Sequence, residues 1–387
     1  MSGVRERRAG RRTAMAAVAS AVVALGAAAG MVTALGDGDE RSHGRGTDGA
    51  RPRAGATLLS PSPPPSPSVS AAPSTASPVA TPAPPAGRRA AREPRAVAAS
   101  TGLYRHSESQ VLDWVRDHPA DPRTPVIESR IANRPAAVWF ADYAPGTIAA
   151  RVRAVTSDAA AQGRVPVLVA YAIPDRDCGG ASEGGAPDSD AYAGWIDRFA
   201  AGLGSREAVV ILEPDSIAQA DCLDAGARAD RFAALARAGR VLKAANPAAR
   251  VYYDAGHSHW NPPAEQAALL KQAGAASAAS SDGIFSNVSN FRGTADEAAY
   301  ARRVLDALGG PAGLGAVIDT SRNGNGAPAD GEWCDPDGRR IGRAPTFDTG
   351  QARIDAYLWV KLPGESDGCR GAAGEFSPAY AYELASS

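Results

Sequence analysis

The chain has 387 residues, 44% of them apolar, and a formal net charge of −1 that hides an uneven distribution. The first 99 residues hold 13 of the 41 Lys and Arg and 6 of the 42 Asp and Glu, so the remainder carries 28 basic against 36 acidic groups. An acidic body of this length excludes nucleic acid as the preferred partner, suits a neutral substrate and is long enough for one large domain.

In chain order, Arg5, Arg7, Arg8, Arg11 and Arg12 precede an uncharged run from Thr13 to Gly36. This marks residues 1–36 as a targeting segment, either a cleaved signal peptide or a retained membrane anchor, since the Ala/Gly-rich run lies between the lengths the two require. The paired arginines also permit a twin-arginine route. Both readings put the rest of the chain outside the cytoplasm, secreted or tethered. Residues 37–100 are rich in Pro, Ser, Ala, Gly and Arg, the composition of a disordered spacer that cannot bury enough apolar surface to offset its ordering entropy.

Residues 101–387 form the folded domain. Short β-branched or apolar runs alternate there with Ala-rich helical stretches. The strand candidates are Val138 to Ala141, Val165 to Ile173, Ala208 to Leu212, Arg250 to Tyr253, Gly283 to Val288, Leu314 to Ile318 and Ala356 to Val360. Amphipathic segments such as Asp190 to Leu203 and Arg228 to Ala245 are long enough to cross back over a sheet, so the fold class is α/β with parallel strands, and seven such units favour a barrel. All four cysteines, Cys178, Cys222, Cys334 and Cys369, lie in this region. An even count in an exported chain reads as two disulfides, and no ligand spacing supports a zinc site.

Polar residues follow nearly every strand: Asp142, then Asp175 and Asp177, Asp215, Asp254, Asn287, Asp319 with Arg322, and finally Lys361, Glu365 and Asp367. One Asp after one strand reads as a helix cap. A series reads as a shared mouth, because parallel barrels build their sites at the C-terminal ends of the strands. Crowded carboxyls raise one another's pKa and keep one protonated as a donor, the minimum equipment for hydrolysing a glycosidic bond. The same carboxylates could hold magnesium for phosphoryl transfer, but no phosphate-binding Gly-rich loop or basic groove accompanies them. His43, His106, His118, His257 and His259 form no His-Glu-x-x-His array, and no Gly-x-Ser-x-Gly elbow occurs. The glycines at 179–180 and 184–185 lack dinucleotide spacing and suit a flexible loop; no metal or cofactor is expected. Trp260 and Trp333 sit in polar loop sequence as candidate stacking platforms, whereas Trp139 and Trp359 lie inside apolar runs and read as core or strand residues. His257 either bonds a substrate hydroxyl or fixes its own loop.

Three runs, Tyr171-Ala172-Ile173-Pro174-Asp175-Arg176-Asp177-Cys178, Ile211-Leu212-Glu213-Pro214-Asp215-Ser216 and Trp359-Val360-Lys361-Leu362-Pro363-Gly364-Glu365-Ser366-Asp367-Gly368, occur in this order and resemble glycoside hydrolase family 6. Asp254-Ala255-Gly256-His257, Val288-Ser289-Asn290-Phe291 and Asp319-Thr320-Ser321-Arg322-Asn323-Gly324 extend the resemblance, which runs from about residue 101 to the C-terminus. It implies an inverting cellulase on a distorted seven-stranded parallel β/α barrel. By the same resemblance Asp215 is the proton donor, Asp177 a second aspartate that tunes it, and Asp367 the base, acting directly or through a water relay. Tyr171 and Ser182 are implied beside the distorted sugar and its water, and Arg322 as the partner of Asp367. Asp254, His257, Trp260, Asn290, Trp333, Lys361 and Glu365 complete the expected substrate-binding set. The implied disulfides are Cys178 with Cys222 and Cys334 with Cys369. Both cysteine-bounded loops look short, so an open groove and mid-chain cutting of β-1,4-glucan by a monomer are expected. No aromatic-rich module precedes the spacer, so no separate carbohydrate-binding domain is expected. The alternatives are a cellobiohydrolase acting at chain ends and a β-glucan-binding surface protein without turnover.

Overall fold

The computed structural model describes residues 102–386, so the expected targeting segment and spacer lie outside the described residues. Seven strands pair in parallel and in chain order: β1 Val138–Phe140, β2 Val167–Ala170, β3 Ala208–Leu212, β4 Ala249–Asp254, β5 Gly283–Ser286, β6 Gly315–Asp319 and β7 Ile354–Leu358. Around them run α1 Gln110–Asp117, α2 Thr124–Ile127, α3 Ile148–Ala161, α4 Ser189–Gly202, α5 Ala225–Ala245, α6 Pro263–Gln272, α7 Thr294–Leu308 and α8 Pro378–Ser386. Local chemistry sets several boundaries. Asp188 and Asp224 cap α4 and α5 by accepting the N–H groups of Ala191 and Ala227 at 2.7 and 2.9 Å, which starts α5 three residues before its expected first residue. At Gly283, φ is 145° and a Cβ would lie 1.8 Å from the Gly315 carbonyl, so only glycine lets β5 approach β6.

Alternation along the strands divides the core. Val169, Ile211, Tyr252, Phe285, Val317 and Leu358 meet inside the curled sheet. Their neighbours Leu168, Leu212, Val251, Ile284, Ile318 and Tyr357 pack outward against the helices. Each buried side chain of this size stabilises the fold by about 1.5–3 kcal/mol. Among the described residues no ladder joins β7 to β1. Instead, the Ala137 N–H donates to the Trp359 carbonyl at 2.9 Å, and the Trp139 indole to the Val360 carbonyl at 2.7 Å. The expected barrel is therefore present in a distorted, incompletely closed form.

A third apolar cluster joins Val111, Ile127, Trp359, Leu362, Ala381 and Ala385, seating α1, α2 and α8 against the segment after β7. That segment carries Lys361, Glu365 and Asp367, so the terminal helices support the mouth directly. No helix among the described residues is long and apolar enough to cross a membrane.

Candidate active site

A cleft of about 1210 Å³ opens at the C-terminal ends of the strands, where barrels of this class assemble functional groups. Asp177, Asp215 and Asp367 all line it. So do the expected binding residues Tyr171, Ser182, His257, Trp260, Asn290, Trp333, Lys361 and Glu365. Asp254 does not reach the cleft.

Strand β3 delivers Asp215 through a tight turn in which Glu213 and Asp215 adopt φ of 50° and 68°. Left-handed backbone is costly for residues with a Cβ and persists where surrounding structure fixes it. Asp254, expected to touch substrate, is 1% exposed and spends its carboxylate on backbone instead: Oδ2 accepts the Ile217 and Ala218 N–H groups at 3.1 and 2.9 Å, and Oδ1 that of Gly256 at 2.9 Å. It thus anchors the Asp215 turn from below. Burial, and then the negative charges of Asp254, Asp177 and Asp367, push the Asp215 carboxyl well above the usual range. A carboxyl that keeps its proton near neutrality is equipped to donate it.

Asp177 sits on the β2–α4 connection at φ 57°, beside Cys178, which is bonded to Cys222. Its Oδ2 accepts the Ser182 N–H at 2.6 Å. Arg176 donates to the Ser182 carbonyl at 2.8 Å and lies 4.6 Å from the Tyr171 ring centre, so one guanidinium ties the Gly-rich loop to the cleft floor. Burial, and then the Asp215 and Asp177 charges, raise the Tyr171 hydroxyl pKa, keeping it a neutral donor. Trp139 stands edge-on to Tyr171, 5.3 Å between centres, and also lines the cleft. Trp139 lies in β1 and packs against the inner cluster, as a strand residue was expected to, and its partly buried ring also reaches the cleft, which a three-residue strand is too short to show in sequence. Trp359, by contrast, is buried as expected.

On the opposite wall, the Arg322 guanidinium grips Asp367 as a fork, Nη1 to Oδ2 at 2.7 Å and Nη2 to Oδ1 at 3.1 Å, and Lys361 Nζ stands 3.4 Å from Oδ1. Arg322 is fully buried and also donates to the Ser289 carbonyl at 2.5 Å and the Tyr380 hydroxyl at 3.3 Å. The cleft therefore holds two carboxyl groups in opposite surroundings, one among other carboxyls and one gripped by cations. Such a pair can give a proton at one wall and accept one at the other.

Trp333 is 59% exposed at the rim, and Trp260 lies 5.2 Å from the His257 ring. Burial first, then the Arg292 and His259 charges, lower the His257 pKa to about 4, so its imidazole is neutral in the working range. Its Nδ1 accepts the His259 N–H at 3.2 Å. Asn290 donates its side-chain amide to the Val288 carbonyl at 3.1 Å. The disulfides pair Cys178 with Cys222 and Cys334 with Cys369, as the resemblance implies.

Sequence reasoning passed over Glu213 as a site residue in its own right. It is fully buried, and its Oε2 accepts the Ala172 and Ile173 N–H groups at 2.9 and 3.0 Å, which ends β2 and aims the chain toward Asp177. Burial pushes Glu213 and Glu365 up to about 7 and Asp355 up to about 6. Between the unfolded-state values near ~4 and these folded values, the folded chain binds more protons than the unfolded one. Stability then falls as pH rises through that window. His257, with a lowered pKa, opposes this only below its unfolded value of about 6.5. The melting temperature is therefore expected to drop from pH 6 to 7.5. Glu213→Gln should flatten the slope by up to about 1.4 kcal/mol per pH unit, and a wild-type melting temperature that is constant or rises over this range would contradict the assignment.

The glycosyl hydrolases family 6 model matches residues 98–386. Endoglucanase 1 of Streptomyces sp. strain KSM-9 is 56% identical over 287 residues, covering 74% of this chain and 78% of that protein. Endoglucanase A of Thermobispora bispora is 51% identical over 284 residues, covering 73% of this chain and 61% of that protein. Among solved structures, the endoglucanase Cel6 from Mycobacterium tuberculosis, in complex with methyl-cellobiosyl-4-deoxy-4-thio-β-D-cellobioside, matches at 40% identity with a TM-score of 0.68, over 74% of this chain and 97% of that one. The match begins before the first described residue and ends in the last helix, and it takes in all seven strands and both walls of the cleft: this chain belongs to glycosyl hydrolases family 6.

Proposed function

We propose that the protein is an inverting endo-β-1,4-glucanase. The observation that carries this reading is the contrast between Asp215, held protonated by burial and neighbouring carboxyls, and Asp367, held by Arg322 and Lys361 across the same cleft. Asp215 gives its proton to the glycosidic oxygen as the bond from C1 breaks. Water attacks C1 from the opposite face, and its proton passes to Asp367, directly or through a second water. The new reducing end is released as the α-anomer, and both carboxyls return to their starting states by exchange with solvent. Inverting enzymes in general leave room for that water, with carboxyls about 6.5–9.5 Å apart. Asp177, two residues past the Pro174–Asp175 turn and joined to the Ser182 N–H, adds negative charge beside Asp215 and orders the loop facing the water. Trp139, Trp260 and Trp333 offer aromatic faces to successive sugar rings.

Mid-chain cutting is supported by the short cysteine-bounded loops, the exposed Trp333 at the rim and the endoglucanase names of the relatives. Export is supported by the N-terminal sequence pattern and by two disulfides, which persist in oxidising compartments. The test combines viscosity and reducing-end release on a soluble cellulose derivative with NMR of the first products. A rapid viscosity drop with few new ends, and α-anomer first, is expected. A slow drop with cellobiose as the only product supports the cellobiohydrolase reading, initial β-anomer refutes inversion, and binding without any product supports the non-catalytic reading.

A further inference from the structure

The loop that carries Asp367 is tied twice to the segment at Cys334. One tie is covalent, the Cys334–Cys369 disulfide, with Cα atoms 5.8 Å apart. The other is the next residue, Asp335, which is 4% exposed and held at φ 48°. Its Oδ1 accepts the Asp367 N–H at 2.8 Å. Its Oδ2 accepts the Ser366 hydroxyl at 2.6 Å, the Cys369 N–H at 3.1 Å and the Arg370 N–H at 3.0 Å. The contact is reciprocal, because the Asp335 N–H points back to Asp367 Oδ2 at 3.3 Å. Arg322 Nη1 lies 3.9 Å from Asp335 Oδ1 and 2.7 Å from Asp367 Oδ2, so one guanidinium faces both carboxylates.

A carboxylate offers about four lone-pair sites and no donor, and here four donors from one short loop converge on it. The disulfide already closes this loop, so loop closure alone does not call for a buried charge. What the Asp335 carboxylate adds is orientation: it fixes the Asp367 main chain, and so brings the Asp367 side chain within reach of the Asp335 main-chain N–H. We infer that Asp335 is a positioning residue for Asp367, fixing the carboxylate against Arg322 at the place where it meets water. Although burial opposes ionisation, the Ser366 hydroxyl and the loop N–H groups hold the Asp335 carboxyl below the usual range, so the clamp stays charged at working pH. Asparagine cannot replace it, because its amide would turn N–H groups toward N–H groups. The inference rests on the reading of Asp367 as the group that receives the proton from water.

The test compares Asp335→Asn, Ser366→Ala and Asp367→Ala on two substrates: a cello-oligosaccharide, and a dinitrophenyl β-cellobioside whose leaving group needs no protonation. Because the clamp serves the water side of the reaction, Asp335→Asn is expected to lower kcat about 10- to 100-fold by the same factor on both, with KM within about twofold, as for a displacement of ~1 Å. Ser366→Ala, which removes one of the four bonds, should show a smaller loss with the same pattern, and it carries the test if Asp335→Asn does not fold. Three results would overturn the inference: wild-type kcat in either folded variant, a loss confined to the cello-oligosaccharide, or a loss explained entirely by the folded fraction in a melt. An active Asp367→Ala overturns the underlying reading of Asp367. An inactive Asp367→Ala beside an unchanged Asp335→Asn overturns only the positioning role.

Discussion

Replacing Asp215 with Ala is expected to lower kcat on cello-oligosaccharides by about 10²–10⁴-fold, the usual contribution of a positioned acid, while leaving hydrolysis of a dinitrophenyl β-cellobioside within a few-fold of wild type. A sugar alkoxide is a poor leaving group and needs the proton as the bond breaks, whereas a nitrophenolate departs without one. Asp215 is suited to supply it because burial and three neighbouring carboxyls keep its pKa well above the usual range. The same cause sets the alkaline limb of the wild-type pH profile, where Asp215 loses its proton, and that limb should vanish in the variant on the activated substrate. Stability should not suffer at working pH, since the variant removes a carboxyl that burial and the charges of Asp254, Asp177 and Asp367 already keep neutral. Equal losses on both substrates would mean that Asp215 serves some other step.

The strands were legible because β-branched runs separated by Ala-rich helices have few other uses, yet their ends moved for reasons visible only in three dimensions. The expected strand from Val165 to Ile173 forms a ladder only over Val167–Ala170. Pro166 has no N–H to give, and the amides of Ala172 and Ile173 are taken by Glu213. The last strand ends at Leu358, before the apolar Trp359–Val360 pair, because Trp359 turns into the cluster beneath α8. The same limit applies to the acids. Asp215 lies just past β3 and Asp254 is the last residue of β4, but Asp215 lines the cleft while Asp254, like Asp319 at the end of β6, accepts backbone N–H groups below it. A carboxylate after a strand reads alike in either role, and one chain without its folded geometry offers nothing to separate them. The three motif runs singled out Asp177, Asp215 and Asp367. Glu213 lies inside one of those runs but nothing there marks its role, and Asp335 lies outside all three; both hold their segments mainly through main-chain N–H groups, which every sequence possesses.

Arg322→Met should be the most damaging single change among the supporting residues. The guanidinium is fully buried and forks onto Asp367, and it also bonds the Ser289 carbonyl and lies 4.4 Å from the Phe291 ring centre. Methionine fills much of the same space but leaves Asp367 and Asp335 buried without the fork, with the Lys361 ammonium 3.4 Å from Asp367. Breaking one side of a buried ion pair costs about 3–5 kcal/mol, because the surviving charge keeps its desolvation penalty and loses its partner. Urea unfolding should show a loss of that order, and kcat should fall on activated and natural substrates alike, since the water side of the reaction is affected. Arg322→Lys separates charge from geometry. A lysine restores a cation and should recover part of the stability, but a single ammonium cannot reproduce the two parallel bonds to Asp367 or lie flat against Phe291, so kcat should stay low. If Arg322→Lys turns over at the wild-type rate, the fork geometry is not what prepares Asp367, and positive charge at that position is sufficient.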